Sequence, residues 1–139
     1  MTTVDLLEGF PSWVATEPTV TALLSDPQAV YPSWAAEEAE RPYLVFHLGG
    51  EGTHHHMGGK ASIANPMLQI ECWADDLGTA RALAAALDQR LNHHRGDLGG
   101  VFAQGVFRRD RRTGVADPDD GSGTRRHVVE LHYEVWRSL

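Results

Sequence analysis

Hydrophobic spacing changes period once, near residue 75, and the rest of the chain arranges itself around that change. From Met67 to Ala74, Leu68, Ile70, Cys72 and Ala74 alternate with Gln69, Glu71 and Trp73. A period of two predicts a strand with one face on a core. From Leu77 onward, Ala80, Leu83, Ala84, Leu87 and Leu91 recur at spacings of three and four, which predicts an amphipathic helix. Asp75 or Asp76 is placed to cap it, since a carboxylate there accepts from free backbone N–H groups at the positive end of the helix dipole. His93, His94 and Arg95 fall in the last turn and Gly96 is a natural stop.

The same pattern reading extends outward. Residues 4–25 predict helix in two pieces, ending before Pro11 or restarting at Ser12, with a short second helix near Pro18 capped by Thr16. Residues 26–42 carry three prolines and no clear period, so an irregular connection is expected, pinned by Tyr31 and Trp34. Tyr43–Leu48 is a compact apolar run and predicts a strand covered on both faces. Residues 49–64, with five glycines, predict a long loop. A third strand is expected over 101–112 with a bulge at Gly105, then a loop over 113–124, then a fourth strand over 126–136. In that last strand Val129, Leu131, Tyr133 and Val135 share one face, and Val128, Glu130, His132, Glu134 and Trp136 the other. The fold class is therefore α+β: an antiparallel four-stranded sheet, with room for extra short strands, packed on one face by two main helices in the order α-β-β-α-β-β.

Composition narrows the function classes. The 139 residues suit one domain, 1–139, with a core of its own. The single cysteine, Cys72, excludes an internal disulfide framework and reads as a buried small hydrophobe in a reducing compartment. The first residues lack a charged stretch followed by an apolar run, so no signal peptide is expected, and no window has the length of a membrane span. The net charge is −7, from 12 basic and 19 acidic residues. The basic cluster is Arg108, Arg109, Arg111 and Arg112, with Arg125 and Arg126, flanking the acidic run of Asp117, Asp119 and Asp120. Phosphate binding needs concentrated positive charge. Here the acids interleave, and an exposed hairpin whose charges pair with each other or with a neighbouring subunit accounts for them better.

Candidate chemistry is thin. His54, His55 and His56 are the strongest metal candidates, with Asp117, Asp119 or Asp120 as partners in a small metal-dependent enzyme or sensor. Adjacent side chains on an extended backbone splay apart, however, and zinc sites draw ligands at wider spacings or from several segments. A polar loop tip explains the three imidazoles more simply. The aspartate-glycine run at 117–123 does not meet the calcium-loop pattern, and Cys72 has no neighbour that would activate it. There is no phosphate loop, dinucleotide fingerprint or nucleophile elbow. No catalytic residue and no cofactor is assigned. Trp73 and Trp136, on the strand face away from the apolar alternation, are candidate subunit contacts unless helices cover that face.

In order along the chain, Leu23–Pro32 (LLSDPQAVYP), Arg41–Phe46 (RPYLVF), Leu68–Asp75 (LQIECWAD), the alanine-rich helix Thr79–Leu91 and His127–Trp136 (HVVELHYEVW) are the segments that carry a family likeness. With this order and spacing the chain resembles the DUF3168 family of tail-completion proteins, or tail terminators, of long-tailed bacteriophages. The resemblance implies a non-enzymatic virion protein of a phage, prophage or gene-transfer particle, assembled in the host cytoplasm. It implies a ring, commonly a hexamer, on the head-proximal end of the tail tube, which stops tube growth and presents a joining surface. The implied partners are other copies of the chain, the tail tube protein and the head–tail connector, with DNA only passing through the channel and no membrane. Trp73, Trp136, Arg108, Arg109, Arg111, Arg112, Asp119 and Asp120 are the expected contact residues. The loops at 49–64 and 113–124 depart from the family pattern.

Overall fold

The computed structural model describes residues 6–35, 39–56, 59–116 and 126–138, and for 50–56, 59–66, 116, 137 and 138 the backbone alone. The elements are α1 (Leu6–Ala15), α2 (Pro18–Thr21), β1 (Val30–Pro32), β2 (Tyr43–His56), β3 (Gly59–Ala74), α3 (Leu77–Leu91), β4 (Gly96–Leu98), β5 (Val101–Ala116) and β6 (Arg126–Ser138). The six strands form one sheet in the order β1-β2-β3-β6-β5-β4. The fold is mixed α+β; among the described residues the sheet has six strands, the short β1 and β4 being added to the four expected, and β1 is parallel to its neighbour.

The central pair is β3–β6, antiparallel, with Ile70 opposite Leu131, Cys72 opposite Val129 and Leu68 opposite Tyr133. All six of these side chains are fully buried, as are Ala80, Leu83, Leu87 and Leu91 of α3. Helix α3 packs against β3, β5 and β6. The period-two and period-3.6 patterns thus meet in one core. Asp76 caps α3: its Oδ2 accepts from the Thr79 backbone N–H at 3.4 Å and from the Thr79 hydroxyl at 3.0 Å. Asp75 instead pairs with Arg41.

Four expectations are corrected. Helix α1 runs through Pro11 without a break, because the proline falls in a helix that buries Leu6, Phe10, Trp13 and Val14. Tertiary burial outweighs the local cost. Glu17, not Thr16, occupies the cap position of α2, and the Thr16 hydroxyl donates back to the Trp13 carbonyl at 2.7 Å. The connection before β2 contains a strand, β1, running parallel to β2 with Val30 opposite Leu44. Of the segments expected as loops at 49–64 and 113–124, residues 49–56, 59–64 and 113–116 are strand, and the remaining positions lie outside the described residues: β2 and β3 pair as far as His56 opposite Gly59, and β5 and β6 as far as Ala116 opposite Arg126. Glycine weakens strand propensity but forbids nothing when a partner strand completes the ladder.

One contact had no sequence signal. A side chain added to Gly9 of α1 would lie 2.5 Å from the Leu98 carbonyl oxygen, and one added to Gly99 would lie 2.0 Å from the Gly9 carbonyl oxygen. Helix α1 therefore touches the β4–β5 turn backbone to backbone, and Gly99 also holds a positive φ of 63°. Two outcomes are expected in urea unfolding. Leu87→Ala, a cavity in the core, lowers stability by about 3 kcal/mol. Gly9→Ala, although alanine favours helix, lowers it as well, because the turn must move away; a stabilised Gly9→Ala protein would contradict the contact.

Candidate assembly surface

The strand face turned away from α3 is built from cross-strand rows. One row is His47, Gln69, His132 and Asp110; the next is Val45, Glu71, Glu130 and Arg112. Glu71 ties them together: its Oε2 lies 2.8 Å from His47 Nε2, and its Oε1 accepts from Trp73 Nε1 at 2.8 Å. Trp73 stacks on Tyr43 with ring centroids 6.5 Å apart, and Tyr43 meets the edge of Tyr31 at 5.8 Å. Trp73 and Trp136 are both half-buried. Tyr31 does pin its segment as expected. Trp34 does not: it is 73% exposed and rims a hollow of about 210 Å³ lined by Ser33, Tyr43, Glu71, Trp73 and Arg126.

The side chains of Arg108, Arg109 and Arg112 in β5 are tied within the chain. Arg108 donates to Asp88 Oδ2 at 2.8 Å, and Arg109 to Glu134 at 2.6 Å. Arg112 Nε donates to Asp110 Oδ2 at 2.8 Å. Arg111 is exposed, and its backbone N–H donates to Asp110 Oδ1 at 2.8 Å. The interleaved pairing is that of a solvated arm with its own counter-charges, not of a phosphate-binding patch. Asp119 and Asp120 lie outside the described residues. His54, His55 and His56 lie on β2, with only their backbone described. Among the described residues no group of three or more His, Cys, Asp or Glu side chains could hold a metal.

The Arg108–Asp88 pair continues inward. Tyr133 is buried on the core face of β6, and its hydroxyl donates to Asp88 Oδ1 at 2.5 Å. Desolvation raises the Tyr133 pKa above its ordinary value, and the hydrogen bond to Asp88 adds to the rise. Asp88 thus joins α3, β6 and β5 through one carboxylate. Burial likewise raises the Cys72 thiol. It excludes a nucleophile role at this position.

Residues 12–137 match the family described as tail completion protein gp17. The chain belongs to that family. It is a structural tail protein of the virion and not an enzyme. The fold of this tail completion protein is also similar to a chain in the solved "Virion of native gene transfer agent (GTA) particle", at 17% identity and a TM-score of 0.58, covering 88% of this chain and 87% of that one. No curated protein matches it significantly.

Two measurements check the buried groups of this tail completion protein. Groups whose pKa is raised on folding add stability that is complete below their unfolded pKa and is lost as pH rises. Unfolding free energy should therefore fall steadily as pH rises above about 9, and fall less steeply in Tyr133→Phe; identical slopes would remove Tyr133 from the account. Cys72 should resist alkylation in the native protein and react at once in denaturant.

Proposed function

We propose that this tail completion protein is a tail terminator. Copies of the chain, six by the DUF3168 resemblance, form a ring on the head-proximal end of the tail tube. The ring stops tube growth and presents the surface on which the head–tail connector docks. Its partners are other copies of itself, the tail tube protein and the connector. The observation that carries this reading is the family match across nearly the whole chain, 12–137.

The structure supports it in two ways. The β2–β3 and β5–β6 hairpins extend from opposite ends of the sheet, since β3 pairs with β6 from Ile63–Ser138 at one end to Ala74–His127 at the other. A subunit with hairpins directed to both ends of its sheet can meet one partner above and another below. The acidic balance of −7 also suits a ring through which DNA passes without being gripped.

Particles assembled without the protein provide the test. The expected outcome is headless tails of abnormal, mostly excessive length, corrected by supplying the chain in trans. Normal tail lengths and normal head joining in its absence would overturn the reading.

A further inference from the structure

The sheet has two edges, and among the described residues each is covered over only part of its length. At one edge, β1 pairs with Leu44, Val45 and Phe46 of β2. The Leu44 N–H donates to the Ala29 carbonyl at 2.9 Å and the Phe46 carbonyl accepts from the Ser33 N–H at 2.9 Å, so residues 44 and 46 direct their backbone groups outward. Alternation puts Leu48 outward next, with no strand beside it among the described residues. At the other edge, β4 pairs with β5 only over Val101–Ala103. Beyond it the Val106 carbonyl accepts from His93 N–H at 2.6 Å, and the Arg108 N–H donates to Asn92 Oδ1 at 3.0 Å. A bulge follows between Arg108 and Asp110. The Arg111 N–H is then taken by Asp110 Oδ1. Alternation from Arg111 turns Thr113 and Val115 outward, with no strand beside them among the described residues.

These two open stretches are complementary. Strand β2 runs antiparallel to β3, β3 to β6, and β6 to β5, so β2 and β5 run in opposite directions. The β2 edge of one copy, laid beside the β5 edge of another with both core faces on the same side, makes an antiparallel pair. The flanking side chains agree. Leu48 follows Leu44 and Phe46 on the core face of β2, and Val115 shares the core face of β5 with Thr113, which is opposite buried Val129. Leu48 is 39% and Val115 56% exposed, two of five large hydrophobics exposed among the described residues. An open edge with an exposed apolar residue is a surface that a monomer normally blunts.

We propose that neighbouring copies join head to tail through these edges, β5 from Thr113 to Val115 of one copy pairing with β2 from Leu48 onward of the next. The proposal rests on the ring reading and deepens it: the ring is a continued sheet. The open part of β2 lies at the β3–β6 end near Ser138, and that of β5 at the end near Arg126. Each copy is therefore displaced along the strands relative to its neighbour. Such a stagger closes on itself when the strands tilt to the ring axis, as in closed barrels.

The experiment combines sizing with cross-linking of the full chain. Thr113→Pro with Val115→Pro removes two outward N–H groups while leaving the inward ladder to β6. The variant should be folded and elute as a 15.3 kDa monomer where the unsubstituted chain elutes as a ring. Cysteines placed singly at Leu48, Glu51, Thr53 or His55 are each paired with Thr113→Cys in one chain; at least one pair should give a ladder of disulfide-linked oligomers on oxidation, and the single substitutions should not. Cys72, being buried, stays silent. If the proline variant misfolds, the cross-links decide. Dimers from Thr113→Cys alone would mean a two-fold contact and overturn head-to-tail pairing. A proline variant that assembles like the unsubstituted chain would overturn edge pairing and leave the ring intact. An unsubstituted chain that stays monomeric, even with tail tubes present, would overturn the ring and the pairing together.

Discussion

The antiparallel pairing of β3 with β6 is the constraint on which the other elements depend. These two strands sit at the middle of the sheet and present an unbroken buried face of Leu68, Ile70, Cys72, Val129, Leu131 and Tyr133. A one-residue slip would turn that face outward, so the register is held by burial rather than by the ladder alone. Helix α3 lies across it with Leu83 and Leu87, and β2 and β5 add to its two sides. Asp88 then links the layers, accepting from Tyr133 on one oxygen and from Arg108 on the other. A carboxylate with both oxygens engaged fixes the relative position of helix and sheet more sharply than apolar contact does.

In the proposed ring, a rigid centre is combined with contacts at the ends of the strands. The outer strands outrun their short neighbours: β1 and β4 each span three residues, whereas β2 spans 14 and β5 spans 16. The core is thus closed in the middle of the sheet, while among the described residues no strand pairs with the outer sides of β2 and β5 toward its two ends. A structural virion protein gains by this division, because its contacts can form on assembly without disturbing the packing that holds each copy together. On the opposite face, which no described helix covers, His47, Glu71 and Trp73 satisfy one another's polar groups, whereas His132 Nε2 is buried without a hydrogen bond.

Much of the centre was legible in the residues. The period-two run at 67–74 and the period-3.6 run at 77–91 named β3 and α3, and the alternation at 126–136 named β6 with the correct face for every residue from Val128 to Val135. What failed was what the partner strand decides. Glycines at 49, 50, 52 and 59 read as loop, yet those positions lie in strand because β2 and β3 complete each other's ladder. Pro11 read as a break, yet burial of Phe10, Trp13 and Val14 holds α1 together across it. The strands β1 and β4 are too short for any period to show. The family likeness was carried by segment order rather than by any site, which is why no single residue pointed to a tail protein. Trp34 is exposed where the residue pattern predicts an anchor, because its position depends on where the chain leaves β1, which no local pattern encodes.

The most direct measurement of the terminator account is electron microscopy of purified tail tubes incubated with the purified protein. The account predicts a ring of six copies on one end of each tube, the head-proximal end, with the other end bare and no further tube subunits added at the capped end. Protein bound along the tube wall, at both ends equally, or not at all would contradict it.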